Sequence, residues 1–430
     1  MFLFTPCFRK RKMERKRIVV TGIGAISPFG VGVDKLWDNV KAGKSGVKKT
    51  KQFDTTGHLV DISAEFSDFN PEDYGIDPKE AKRMDRFTQF GVIAADEAIK
   101  DSGLNLSEID PYSMGVMVSS AAGGFHSLER GHLDMINKGK TKCHPFTAPM
   151  LVQNMVTGKI AMKYGIKGVN KCILSACASG THSIGDSART IQYGDADIIM
   201  AGAADAVICN FGIGAFTAAR TLSKNNDHPE QASRPFDRDR DGFVMGEGAG
   251  VLVLEEYEAA KKRGAKIYAE VIGYGQTEDA YDMVAPEPEG KGAEMAMRKA
   301  LKDAGLQPSD IDYLNAHGTS TGLGDIAESQ AIARVFGDKN INPKLKVSST
   351  KSMLGHMLGA SGAVEAIICI KAMQEGIVPP TINLDNQDEK VANLNYVPNV
   401  AQKGDINITM SNSFGFGGQN ACIILKKVTD

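Results

Sequence analysis

Ile173–Leu174–Ser175–Ala176–Cys177–Ala178–Ser179–Gly180 sets a short apolar run against a string of small residues. What stands on either side of it decides the fold. The run before Cys177 reads as a strand. The stretch after it, with apolar residues at Ile184, Ala188 and Ile191 and a natural stop at Gly194, reads as a helix. A thiol at that junction meets the positive end of the helix dipole and unpaired N–H groups, and both favour the nucleophilic thiolate. On composition alone an inert buried cysteine is the commoner case, so the local sequence leaves the two readings even.

Val347–Ser348–Ser349–Thr350–Lys351 repeats the pattern in the second half: a short strand ending in a reactive side chain before a helix. Between and around the two runs, β-branched segments alternate with amphipathic ones. Gly115–Val118, Ile198–Met200, Gly250–Leu254 and Ala269–Ile272 are strand candidates; Gly91–Lys100, Thr181–Tyr193, Gly292–Ala304 and Ala327–Val335 are helix candidates. The alternation predicts an α/β fold with buried sheets, built from two similar halves that divide near Gly264. Residues 18–264 and 265–430 are then the halves, and residues 1–17 an extension expected to lack order.

Near the start, Ile18–Thr21 followed by Gly22–Ile23–Gly24 reads as a strand entering a tight turn. A dinucleotide site there is disfavoured, because Ser27 stands where the third glycine of that fingerprint belongs. The first eight residues are apolar and the basic run follows them, the reverse of a secretory signal. An extension ahead of a natural start at Met13 is preferred over an organelle transit peptide. No segment reaches the apolar length of a membrane span.

With 430 residues the chain is long enough for two cores, and its formal net charge of −2 excludes a chain-wide signature of nucleic-acid or membrane binding. Seven cysteines at irregular spacing, without a CxxC pair or a Cys/His cluster, suggest free thiols in a reducing cytosol and no metal site.

The second half shifts the balance at Cys177. Asn315–Ala316–His317–Gly318–Thr319–Ser320–Thr321 places a histidine after a strand candidate in a stretch of donors and acceptors, which suits a site loop better than a core. Asp325 and Glu328 follow at helical spacing, and helix N-terminal charge stabilisation is the preferred reading of Asp325. Lys351 and His356 share a Gly/Ser-rich connection that runs into an apolar helix. Ser411–Asn412–Ser413–Phe414–Gly415–Phe416–Gly417–Gly418 is a glycine loop with two aromatics, either a hinged lid or a strand-to-strand turn.

From Ile18 to the C-terminus the chain resembles the β-ketoacyl-[acyl-carrier-protein] synthases, specifically the elongating synthase II type of the thiolase superfamily. The resemblance rests on separated motifs in order: the Cys177 turn, Arg234–Pro235–Phe236–Asp237 through Gly246–Glu247–Gly248–Ala249–Gly250, the His317 loop, the Lys351/His356 loop and the Phe416 loop. It implies a layered αβαβα fold of two related halves, a homodimer, and fatty acid elongation with Cys177 carrying the acyl group. His317 and His356 would assist decarboxylation of malonyl-carrier protein and stabilise the enolate, and Lys351 would organise the site electrostatically. Backbone N–H groups of Cys177 and Phe416 would form the oxyanion hole, with Phe416 also a gate. Thr319 and Thr321 would hold the pantetheine arm, Ala122 and Phe414 would contact substrate, and Glu365 would support the site from behind. No resident cofactor is implied, since phosphopantetheine arrives on the acyl carrier protein.

Carrier proteins are acidic, so the resemblance also asks for a basic face. Lys79, Lys82, Arg83 and Arg86 are read as a helical cluster that would supply it, and Arg220 matches a family contact position. Two departures stand out. Ala122 occupies a pocket position where synthase II enzymes often have a bulkier aliphatic residue, and Ala178 replaces the usual Thr after the cysteine. Synthase I and polyketide ketosynthases remain close rivals. A non-catalytic, chain-length-setting partner subunit is disfavoured because such subunits typically lack the cysteine.

Overall fold

The computed structural model describes residues 15–139 and 141–428. Its main sheet is one hydrogen-bonded path whose two halves repeat the same order and polarity. In the first half these are β1 (Ile18–Ser27), β2 (Met114–Ser119), β3 (Ile198–Asp205) and β4 (Gly248–Glu256). The second half holds β5 (Ala269–Glu278), β6 (Tyr313–Asn315), β7 (Lys346–Ser348), β8 (Ile408–Gly415) and β9 (Gln419–Lys426).

From edge to edge the order is β7-β6-β8-β9-β5-β1-β4-β3-β2. The β7/β6 and β6/β8 pairs are parallel, and the β8/β9 and β9/β5 pairs antiparallel. The first half matches this. Asn170 bridges Val116 of β2 in parallel, β2 lies parallel to β3, and β3/β4 and β4/β1 are antiparallel. The halves meet where β1 and β5 pair through Val19–Glu270 and Val20–Ala269.

Helices complete the layers. α1 (Arg86–Ser102) packs on β1, β3 and β4 from outside. α2 (Phe125–Asn137) follows β2. α3 (Ser179–Tyr193) touches β2, β3 and β4 as well as β5, β8 and β9. α4 (Asn210–Ala218) follows β3, and α5 (Lys291–Ala304) covers β5 and β9 with α6 (Gly322–Phe336) beside it. α7 (Ala360–Glu375) touches β3, β4 and β8 and packs on α3. α3 and α7 therefore form the middle layer of an αβαβα stack, as the resemblance implied. Their small residues allow it: a Cβ on Gly185 of α3 would fall 2.4 Å from the ring of Tyr274 in β5.

The Gly22–Ile23–Gly24 reading is corrected. The strand does not turn there but runs on to Ser27, with an irregularity between Val20 and Gly22. The glycines serve close packing, because a Cβ at Gly22 or Gly24 would lie 2.2 Å from the Ala98 carbonyl oxygen or 2.1 Å from that of Ala94, both in α1.

The expected extension is corrected at its end. Arg15 pairs with Asp303 at 2.7 Å, and Arg17 pairs with Glu270 at 2.7 Å while lying over the Tyr257 ring. Its remainder, 1–14, lies outside the described residues. Among the described residues no helix is long and apolar enough to cross a membrane.

Candidate active site

Cys177 sits where the sequence places it, between an extended segment and α3, but that segment is hardly a strand. Past the bridge at Asn170, the Ile173 N–H donates to Ser119 Oγ and the Ser175 N–H to Ser179 Oγ rather than to a neighbouring ladder. Ala176 has φ 48°, left-handed for a residue with a Cβ, and a single 3₁₀ turn over Ala176–Ala178 leads into α3. The sulfur of Cys177 is thereby turned into an interior apolar cluster.

His317 follows β6 after the single residue Ala316. Its backbone N–H and that of Gly318 donate to the two oxygens of Glu328 at 2.8 and 2.7 Å. Glu328 lies in α6 and also accepts from Asn412 Nδ2 of β8 at 3.2 Å. Burial pushes its carboxyl up to about 7 against those N–H donors. The sequence reading assigned Glu328 no role; the i+11 spacing from His317, across a loop into a helix, was the only available signal. Asp325 is more than a helix-end charge, since it accepts the Phe236 and Ser320 N–H groups at 2.8 and 3.1 Å and is fully buried.

His356 is fixed by its backbone, with its N–H donating to Val244 O at 2.7 Å and its carbonyl accepting from Gly246 N–H at 2.9 Å. Its Nδ1 lies 3.1 Å from Ser361 Oγ. The two imidazoles stand edge to face, and Phe414 tilts against His317 with centroids 5.6 Å apart. Burial, followed by the charge of Lys351, holds both histidines well below the usual range, so both are neutral. Lys351 is itself buried, with Nζ 2.5 Å from Glu365 Oε1. Burial pushes Glu365 up to about 7, against the lowering effect of that lysine.

Cys177, His317, His356, Thr319, Thr321, Phe414, Phe416 and Arg220 all line one cavity of about 390 Å³. The Phe416 N–H points at the Cys177 sulfur. Its loop is the turn of the β8–β9 hairpin, with Gly417 and Gly418 at φ 84° and 85°, and the Gly417 N–H donates to Met283 O at 2.8 Å. Thr319 and Thr321 hydroxyls lie 3.0 Å apart. Ala122 packs on the apolar cluster that contains Cys177. The thiolate preference read from the helix dipole does not prevail in this closed site. Burial pushes the Cys177 thiol up to about 12, against lowering by Lys351 and the Phe416 N–H.

The basic candidates divide. Lys79 and Lys82 are exposed, and Arg83 is exposed but pairs with Glu80 at 3.0 Å. They do not share one helix, since the turn over Pro78–Ala81 ends before α1 begins. Arg86 does not belong to such a face. Its guanidinium grips buried Glu247 at 2.6 and 2.9 Å, donates to Phe66 O at 2.7 Å and lies between the Phe69 and Phe90 rings.

The relatives of this chain point the same way as its site. It is 48% identical to the 3-oxoacyl-[acyl-carrier-protein] synthase 2 of Staphylococcus aureus (strain COL), over 96% of this chain and 99% of that enzyme. It is 46% identical to the synthase 2 of Coxiella burnetii, over 97% and 100%. Among solved structures it resembles a β-ketoacyl synthase from Burkholderia phymatum, with a TM-score of 0.88 at 36% identity, covering 96% of this chain and 100% of that one. A type II PKS acyl-carrier protein in complex with its ketosynthase matches with a TM-score of 0.88 at 34% identity, covering 97% and 100%. Residues 15–260 match the model of the β-ketoacyl synthase N-terminal domain and residues 268–385 that of its C-terminal domain. With cysteine and paired histidines in one cavity of a layered two-half fold, the chain belongs to the β-ketoacyl synthase family.

Proposed function

We propose that this protein elongates fatty acyl chains as a synthase II, by decarboxylative Claisen condensation between an acyl group on Cys177 and malonyl-[acyl-carrier-protein]. The observation that carries the reading is the convergence of Cys177 from one half and two neutral histidines from the other on a single cavity.

In the first half-reaction the Cys177 sulfur attacks the carrier-bound thioester. The oxyanion that forms is met by the N–H groups of Cys177 and Phe416. The pantetheine sulfur leaves as a thiol, taking the proton given up by Cys177. In the second, the bond to the malonyl carboxylate breaks and CO2 departs. Its electron pair becomes an enolate whose oxygen is stabilised by N–H donors of His317 and His356, each neutral ring having one N–H to offer. The enolate carbon then attacks the acyl-Cys177 carbonyl. The C–S bond breaks, and Cys177 leaves as a thiolate beside the Lys351 charge and takes a proton from water, the one proton that the condensation consumes. The product is a 3-oxoacyl-[acyl-carrier-protein] two carbons longer.

Thr319, Thr321 and Arg220 at the cavity wall suit the pantetheine arm and the carrier mouth, and exposed Lys79, Lys82 and Arg83 suit the acidic carrier surface. A cytoplasmic homodimer that needs no resident cofactor completes the reading. Intact-protein mass spectrometry tests it. Acyl-carrier protein alone should add an acyl mass to wild type and not to Cys177→Ala, and malonyl-carrier protein should then discharge it as the longer 3-oxoacyl product. A chain that binds carrier but takes no adduct from any donor would be a non-catalytic partner subunit instead.

A further inference from the structure

Arg240 falls within the Arg234–Gly250 stretch, and no step of the condensation uses it. Its guanidinium is buried, with Nε donating to Thr321 O at 3.0 Å and Nη2 to Gly322 O at 2.8 Å. Nη1 donates to Asp237 O at 2.7 Å and to Asp388 Oδ2 at 2.8 Å, and Asp325 Oδ2 stands 3.6 Å from Nε. One side chain thus ties its own segment both to the start of α6 and to the chain at Asp388. Thr321 caps α6 and Gly322 opens it, so this cation sits at the positive end of a helix dipole, where charge alone would not place it. What it binds there is carbonyl oxygen, in the fork geometry that arginine offers and lysine does not.

Those carbonyls belong to the wall of the cavity that holds Cys177 and both histidines. Thr319, Thr321 and Gly322 line it, and so do Asp241 and Gly242, which follow Arg240 directly. Between the two threonines Ser320 has φ 71°, a left-handed conformation that persists only where the surroundings hold it. Its N–H donates to Asp325 Oδ1 at 3.1 Å, its hydroxyl accepts the Arg234 N–H at 3.0 Å, and its carbonyl accepts the Gly242 N–H at 3.1 Å. The bend sets the Thr319 and Thr321 hydroxyls 3.0 Å apart. Asp325 holds the bend, and Arg240 holds the two residues that follow it.

We propose that Arg240 is a positioning residue: by holding the Thr321 and Gly322 carbonyls it keeps the Thr319 and Thr321 hydroxyls in one geometry, and so sets KM for both carrier-linked substrates. The proposal rests on the reading of those hydroxyls as the seat of the pantetheine arm. Arg240 does not itself line the cavity. Its loss therefore weakens the grip on the arm equally before and during the reaction, which raises KM and leaves kcat in place.

The test measures kcat and KM for acyl-carrier and malonyl-carrier substrates in wild type, in Arg240→Lys, in Thr319→Val with Thr321→Val, and in all three substitutions together. Alkylation of Cys177 by iodoacetamide, which has no arm, is followed alongside. Arg240→Lys keeps the charge and loses the fork. It is expected to raise KM for both substrates about tenfold, the scale of one hydrogen bond to a charged group, with kcat and alkylation each within about twofold. The valine pair is expected to raise KM as well, and Arg240→Lys to add little once both hydroxyls are gone. Asp388→Asn, which loosens one anchor of the guanidinium, is expected to raise KM by less; it carries the test alone should Arg240→Lys not fold. An unchanged KM in whichever of these two variants carries the test overturns the proposal, as does a rise that persists in full without the two hydroxyls. A fall of kcat and alkylation in step also overturns it, since that is a general disturbance of the site. An unchanged KM in the valine pair fails earlier, at the reading of Thr319 and Thr321, and takes the proposal with it. A wild type that takes no acyl group at Cys177 fails the proposed function instead.

Discussion

His317 and His356 meet edge to face, their ring centroids 5.3 Å apart and their planes crossed at 86°. Crossed rings offer N–H donors from two directions, which suits an enolate oxygen with two lone pairs. Replacing either histidine by Ala should lower CO2 release from malonyl-carrier protein by about 10²–10³-fold, the usual cost of one preorganised donor. Acyl loading of Cys177, read by intact mass, should persist in both variants. In isotope-edited NMR of the wild type neither ring should titrate near 6.5, because burial and Lys351 hold both in the neutral form.

Cys177 is pushed up by burial, and Lys351 lowers it. Alkylation of the free enzyme by iodoacetamide should therefore keep accelerating between about pH 7 and 9 without a plateau, since only the thiolate reacts. In Lys351→Ala the lowering charge is gone, and alkylation should be slower at every pH in that range. Equal rates in the two proteins would show that Lys351 does not act on the sulfur.

Arg86 and its exposed neighbours should separate cleanly. Arg86→Ala strands the buried carboxylate of Glu247 and should cost about 3 kcal/mol of stability, seen as a lower midpoint in denaturant. The paired reversal Lys82→Glu with Arg83→Glu should leave the midpoint nearly unchanged and raise KM for the carrier substrate. An unchanged KM would remove these two residues from the docking face.

Ala122→Ile adds volume beside the apolar cluster that contains Cys177. Activity with the longest acyl donors should fall about tenfold in kcat/KM while the shortest donors stay within about twofold. A uniform loss would mean that the chain runs elsewhere.

The sequence was most legible where several separated small-residue turns could be weighed together. Cys177, His317, Lys351 and His356 each stood in small-residue turns, and all four do face or back the cavity. It was least legible where the partner lies far along the chain. Arg86 looks like surface charge until Glu247 is seen beneath it, and nothing local to Glu328 announces that it holds the His317 backbone. The glycines of β1 misled for a related reason: a missing Cβ serves a turn and a tight helix contact equally, and only Ala94 and Ala98 across the interface decide between them. The segment before Cys177 has strand composition, yet its N–H groups find serine hydroxyls rather than a ladder.

The origin of the site residues in two different halves has a consequence for how such a chain drifts. The nucleophile comes from the first half and both imidazoles from the second. Loading and decarboxylation can therefore be lost one at a time. Under the proposed roles, a copy that lost His317 or His356 would still take and hold an acyl group, becoming a reservoir. A copy that lost Cys177 would still discharge CO2 from malonyl-carrier protein and supply an acetyl primer. Each single loss would leave a working half-enzyme on an intact scaffold, with a new trade open to it.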